Sequence, residues 1–235
     1  EICACLVGSE MCIRDSMKIV LILLLFIVMC NNLQAQIDDS DKLLLDKKLQ
    51  NVLNSDQQIR KEAIAIFHSA VDIEKKIEFQ HRLDSVDQAN QQFVFAVLDS
   101  QGWPSGLSAV ANQAIFLVID HAKLEDQKKY LPLVKEQSSN GILDKSAYAT
   151  LYDRVQMHSG KKQIYGTQTI LQNRGQEGDV LLIWPIQDSE KIDSLRQSVN
   201  LPPLNDYVKV VSSMYGKKCY WDKSLEVKDI RFNGK

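Results

Sequence analysis

This chain lacks every compact signature that would name a reaction. Its 235 residues contain no cysteine pair at metal or redox spacing, no HExxH, no Walker-type glycine loop and no nucleophile elbow. Cysteine is scarce: of five, Cys3, Cys5 and Cys12 fall within the first sixteen positions, followed by Cys30 and Cys219. There is no internal repeat and no low-complexity tract, so nothing points to a solenoid or a disordered linker. Basic blocks are missing too, and with them the electrostatic footprint of a nucleic-acid binder. A single long apolar run occurs, and it stands near the N-terminus.

That run belongs to one of two leading segments expected to lie outside the folded product. Residues 1–16 end in Ser9-Glu10-Met11-Cys12-Ile13-Arg14-Asp15-Ser16, which resembles a translated sequencing adapter and directly precedes Met17. Residues 17–35 read as a signal peptide: Lys18 supplies a positive start, Ile19 to Met29 are eleven apolar residues, and Leu33-Gln34-Ala35 offers small-residue cleavage. Eleven residues are too few to span a bilayer, which takes about 20. Export to the periplasm or beyond is expected. Lipid anchoring through Cys30 is the less favoured reading, because Met29 stands where a small residue is wanted.

One globular domain is expected over 36–235, without a membrane span. Setting aside Glu1, Glu10, Arg14, Asp15 and Lys18 from 28 Lys+Arg and 30 Asp+Glu leaves 26 against 27, a nearly neutral chain. With Cys219 alone remaining, no intramolecular disulfide is available and a core must supply the stability. About 200 residues suffice for that.

The first part, 36–101, reads as helix. Leu43, Leu44, Leu45, Leu49, Val52 and Leu53 recur at helical spacing, and Ser55-Asp56 reads as the cap of a second helix from Gln57 towards Ser100. The charges between Asp72 and Asp87 mark a solvated face or a break. Gly102-Trp103-Pro104-Ser105-Gly106 interrupts the helix and opens the second part, 102–235, as a hinge or boundary loop. The alanine-rich stretch Leu107 to His121 predicts a central buried helix. Further helices are expected over Glu125 to Gln137, interrupted or kinked at Pro132, and over Ser146 to His158, with Asn140-Gly141 as a stop between them. The period then changes. Gln163 to Leu171 and Val180 to Ile186 read as two strands of a hairpin, followed by short helices near Ser189 to Val199 and Leu204 to Tyr215 and an aromatic tail with Tyr220, Trp221 and Phe232. The fold class is therefore α+β and predominantly helical, bundle-like in its N-terminal half, with a small hairpin or sheet in its C-terminal half.

These landmarks resemble the bacterial domain-of-unknown-function 6624 family. The resemblance rests on Asp56-Gln57 with Arg60, Asp87 with Asn90, Gly102-Trp103-Pro104, Asp120-His121-Ala122, Tyr130-Leu131-Pro132, Asp153-Arg154-Val155, Gln163-Ile164-Tyr165-Gly166-Thr167-Gln168, Pro185-Ile186 with Asp188, and Arg196 with Leu201-Pro202-Pro203-Leu204 and Tyr207. It implies no activity. Where the family often carries an acidic residue after the histidine-alanine pair, this chain has Lys123.

Asp153 to Gln168 gathers ionic, amide, phenol and hydroxyl groups around Gly160 and Gly166 and forms the candidate site, with His121 as its reactive partner. His121 ends an apolar helix, where an imidazolium gains from the helix dipole, and it is the general acid/base candidate; capping or a core hydrogen bond is the bland alternative. Asp153 is the candidate to orient it as a base or to bind metal, against simple ion pairing. Arg154 reads as a clamp for carboxylate or phosphate, or as a structural tie. Alternation in a strand would put Gln163, Tyr165 and Thr167 on one face and Ile164, Gly166 and Gln168 on the other. These amides, phenol and hydroxyl orient a ligand better than they attack one. Trp103, Tyr130, Tyr148, Tyr152 and Trp184 are either a carbohydrate groove or core aromatics. No metal-ligand spacing occurs and no cofactor is expected. Three readings follow: a binder of a small polar or envelope-derived ligand, a hydrolase using His121 with Asp153, and an interaction protein whose polar network is only structural. Oligomeric state is left open.

Overall fold

The computed structural model describes residues 39–66 and 72–230; the expected adapter segment, signal peptide, Cys30 and Phe232 lie outside them. The chain divides into two compact units, Glu1–Lys47 and Lys48–Lys235. Of the first, only 39–47 are described, and they are helical. The remainder of this section concerns the second.

In this unit helix α1 covers residues 48–66 and α2 Ile73–Gln101. Leu49, Val52, Asp56 and Ile59 recur at three- and four-residue steps along α1, the spacing that keeps side chains on one helical face, and all four are buried. Ile59 packs with Phe79 and Leu83 of α2. The expected cap at Ser55-Asp56 is not there, because the Ser55 hydroxyl donates to the Val52 carbonyl one turn back and to Asn90 Oδ1 on α2, leaving the helix to run on. The charges after Asp72 form the solvated face of α2. Ile64 and Ile77 are exposed despite their apolar side chains.

Helix α3 (Ala109–Asp120) is the hub. Its small and branched residues Ala111, Ala114, Ile115, Val118 and Ile119 are buried, and α2, α4 (Leu124–Ser139) and α5 (Lys145–His158) all pack on it. The Ser108 hydroxyl caps its N-terminus by accepting from the Ala111 N–H. Helix α4 continues through Pro132 rather than restarting there. At its end Asn140 and Gly141, the latter at φ 75°, make the stop.

The sheet has three strands in the order β1-β2-β3. Strands β1 (Thr169–Asn173) and β2 (Asp179–Ile183) pair antiparallel from Thr169↔Ile183 to Asn173↔Asp179, and β3 (Cys219–Tyr220) joins β2 in parallel. Helices α6 (Ile192–Ser198) and α7 (Leu204–Tyr215) supply Ile192, Leu204 and Val211 to a core shared with Leu181, Ile183, Ile186 and Cys219. Burial pushes the free Cys219 thiol up to about 11, well away from a reactive thiolate. The whole is a mostly helical α+β fold. Among the described residues no helix is long and apolar enough to cross a membrane.

Candidate functional site

The expected strand Gln163 to Leu171 begins only at Thr169, and the reason is Asp153. This carboxylate is 0% exposed and accepts from the N–H groups of Ile164 (2.8 Å), Tyr165 (3.1 Å) and Thr167 (3.1 Å) and from the Thr167 hydroxyl (3.0 Å). Three donors turned onto one carboxylate are not free for a β ladder, so residues 164–167 wrap around Asp153, while Gln163 keeps an isolated bridge to Ile186. Burial pushes the Asp153 carboxyl up, while those four donors pull against it.

On the opposite side of the same loop sits Arg196, also 0% exposed. Its Nη1 donates to the carbonyls of Tyr165 (2.7 Å) and Gly166 (3.0 Å), its Nε to Pro202 (2.6 Å), and its guanidinium lies over the Tyr207 ring. The Tyr207 hydroxyl donates to the Thr167 carbonyl. Gln163 Nε2 bridges the carbonyls of Gln168 and Trp184, and its Oε1 accepts from the Gln168 N–H. Gln168 Nε2 donates to the Thr150 carbonyl. Gly166 adopts φ 66°, and a Cβ there would stand 3.1 Å from both Ile186 Cδ1 and Leu204 Cδ1. Gln163, Thr167 and Gln168 are therefore buried network members, not a row lining a cleft.

His121 belongs to a different neighbourhood. It caps the C-terminus of α3 and places Nδ1 2.8 Å from Oδ1 of Asp56, a 2% exposed residue of α1. A carboxylate only accepts, so Nδ1 carries a proton, and Nε2 is the ring nitrogen left uncommitted by the pair. Gln57 Nε2 donates to the other Asp56 oxygen, and Arg60, one turn along α1, lies 3.5 Å from Asp56 and 2.6 Å from Asp87 of α2. Burial raises the Asp56 carboxyl, but the His121 hydrogen bond, the charges of His121 and Arg60 and the Gln57 amide outweigh it and hold the group below its ordinary value.

The imidazole forms part of the wall of an open cleft of about 600 Å³. Helix α2 contributes Asp84, Asp87, Gln88 and Gln91; the turn into α4 contributes His121, Ala122, Lys123 and Asp126. Asp153, Arg154, Tyr165 and Gln168 are not among its lining residues. The His121 side chain keeps 21% of its surface in contact with solvent.

Two adjacent pairs connect the neighbourhoods. Asp120, next to His121, accepts at 2.9 Å from Nε of Arg154, which is next to Asp153. Arg154 is thus a tie between α5 and α3. Tyr165 points away as a half-buried phenol, pushed up by burial and then by the Asp153 charge and by Tyr152. Trp103 donates from Nε1 to Asn112 Oδ1 at 2.7 Å and so pins the Gly102 loop. Trp184 is fully buried with Nε1 on the Lys161 carbonyl, and Tyr130 donates to Asp99, which leaves no shared aromatic groove among these three. Among the described residues no group of three or more His, Cys, Asp or Glu side chains is gathered as a metal ligand set.

The residues the candidate list overlooked are Asp56, Arg60 and Asp87. Asp56 and Arg60 stand four apart within an apolar helical stripe, which places them on the buried face together. That spacing was the available signal.

The architecture is that of a mostly helical α+β domain with an open polar cleft beside His121 and a buried polar network around Asp153. Residues 43–220 match the model of a family of unknown function, DUF6624, and the chain belongs to that family. No curated protein and no solved structure matches it.

Proposed function

We propose that this is an exported protein that binds a small polar ligand in the cleft walled by α2 and the His121 turn. The observation that supports it most is the Asp56–His121 hydrogen bond, which orients the imidazole through Nδ1 and leaves Nε2 for an occupant at an open wall. The network around Asp153 supports the reading indirectly: Asp153 and Arg196 are both 0% exposed and bonded to backbone groups, so neither side chain faces a ligand in solvent. Export rests on Lys18 and the apolar run Ile19 to Met29.

A second reading is a hydrolase in which His121 Nε2 takes a proton from water while Asp56, in place of Asp153, orients the ring. The same hydrogen bond favours it. A thermal-shift and NMR screen with small polar compounds of either charge, run beside ester and amide model substrates, separates the two. Ligand binding predicts a compound that stabilises the wild type and not His121→Asn, whose amide still donates to Asp56 but offers no Nε2. Turnover abolished by that variant would establish the hydrolase. Hits indifferent to the substitution would remove both readings. Fractionation of cells expressing the chain from Met17 tests export, and retention in the cytoplasm would contradict it.

A further inference from the structure

We propose that the cleft selects a cationic ligand, specifically a small molecule bearing a primary ammonium group; this rests on the reading of the His121 cleft as a binding site. The groups offered to an occupant are mostly acceptors. His121 presents Nε2 because Nδ1–H is engaged by Asp56. Asp87 commits one oxygen to Arg60, and Asp84 takes a hydrogen bond from Gln80, so each retains acceptor capacity towards the cleft it lines. Asp126 adds a third carboxylate, against Lys123 as the single cation of the wall.

Helix-end electrostatics accounts for only one of these acids. Asp126 sits in the first turn of α4, where the dipole favours a carboxylate, but Asp84 and Asp87 stand in the middle of α2. Behind the wall, Arg60 is shared between Asp56 and Asp87, so its charge is already matched. Among the described residues the three buried donors without a partner, Arg60 Nε, Asn90 Nδ2 and Arg196 Nη2, belong to residues that do not line the cleft and so do not make it anion-selective. A wall with three carboxylates against one ammonium attracts donors and positive charge. The volume of about 600 Å³ suits a molecule of metabolite size.

Three probes of equal length and different charge test this on the purified protein: 1,5-diaminopentane, 1,5-pentanediol and glutarate. Calorimetry and NMR should show the diamine binding at least about tenfold more tightly than the diol, with glutarate weakest, and its affinity falling with added salt. Resonances of His121 and Asp87 should move. The exposed double variant Asp84→Asn with Asp126→Asn should weaken diamine binding by about tenfold with an unchanged melting temperature. Equal or better binding of diol or glutarate at His121, or no diamine binding, overturns the cationic preference while leaving a polar cleft intact. If no compound of any charge perturbs His121, the binding reading itself falls.

Discussion

Two polar networks lie side by side in this molecule and use the same residue types to opposite ends. Around Asp153, every strong group faces protein: four donors on the carboxylate, three carbonyls on Arg196, and an amide bridging two strand ends. Around His121, Asp56 is as deeply buried as a core residue, yet its partner imidazole reaches solvent. Both centres combine a carboxylate with a cationic or titratable group. The difference lies in where the second group ends. Arg196 spends Nε and Nη1 on backbone carbonyls and keeps the rest of its guanidinium buried, whereas His121 ends at the wall of an open cleft. Polar density in a sequence therefore marks structural importance, and only a polar group that reaches an open cleft marks a site.

Substitutions should divide along this line. The largest effect is expected from Asp153→Ala, which strands three buried N–H groups and leaves Arg196 without its nearby countercharge; a loss of about 3–5 kcal/mol in denaturant melts is expected. A loss below about 1 kcal/mol would show the closed network to be dispensable. Next comes Gly166→Ala, where a positive φ and close methyls of Ile186 and Leu204 predict about 1–3 kcal/mol, and a neutral result would mean that the loop shifts freely. His121→Asn should change stability by less than about 1 kcal/mol while removing ligand binding, the reverse of the Asp153 pattern. If it destabilised as much as Asp153→Ala, His121 would belong with the closed network.

The smallest effect concerns pH. The Asp56 carboxyl is held below its ordinary value, so the stability it contributes is complete above about pH 4 and is lost as pH falls through the native value. Acid melts of the wild type should accordingly fall more steeply below about pH 4 than those of Asp56→Asn. Parallel curves would show that the dyad is not coupled to folding.

Helical periodicity made α3, α5 and α7 legible, since each buries apolar residues along one face, and the change of period before Val180 to Ile186 announced the hairpin. What periodicity could not convey was the destination of individual hydrogen bonds. Gln163 to Gln168 alternates like a strand, yet its amides serve a carboxylate eleven to fourteen positions upstream. Ser55-Asp56 has the composition of a cap, yet its partners are Asn90 and His121, brought there only by packing of α1 on its neighbours. The site was visible as His121 alone. Its orienting carboxylate and cleft walls come from helices whose charged residues, read one helix at a time, look like ordinary solvated faces.

The segment between Asp153 and Arg196 acts on both ions as water would. An anion draws the N–H ends of several peptides and a cation draws the C=O ends of two from the same run, so the backbone is a solvation shell with its dipoles set when the chain folds. Neither ion has to orient solvent afterwards, and neither can be neutralised without leaving dipoles aimed at nothing. A pair of isolated charges that the interior would ordinarily reject is held, and with it the relative pose of α5, α6 and the sheet.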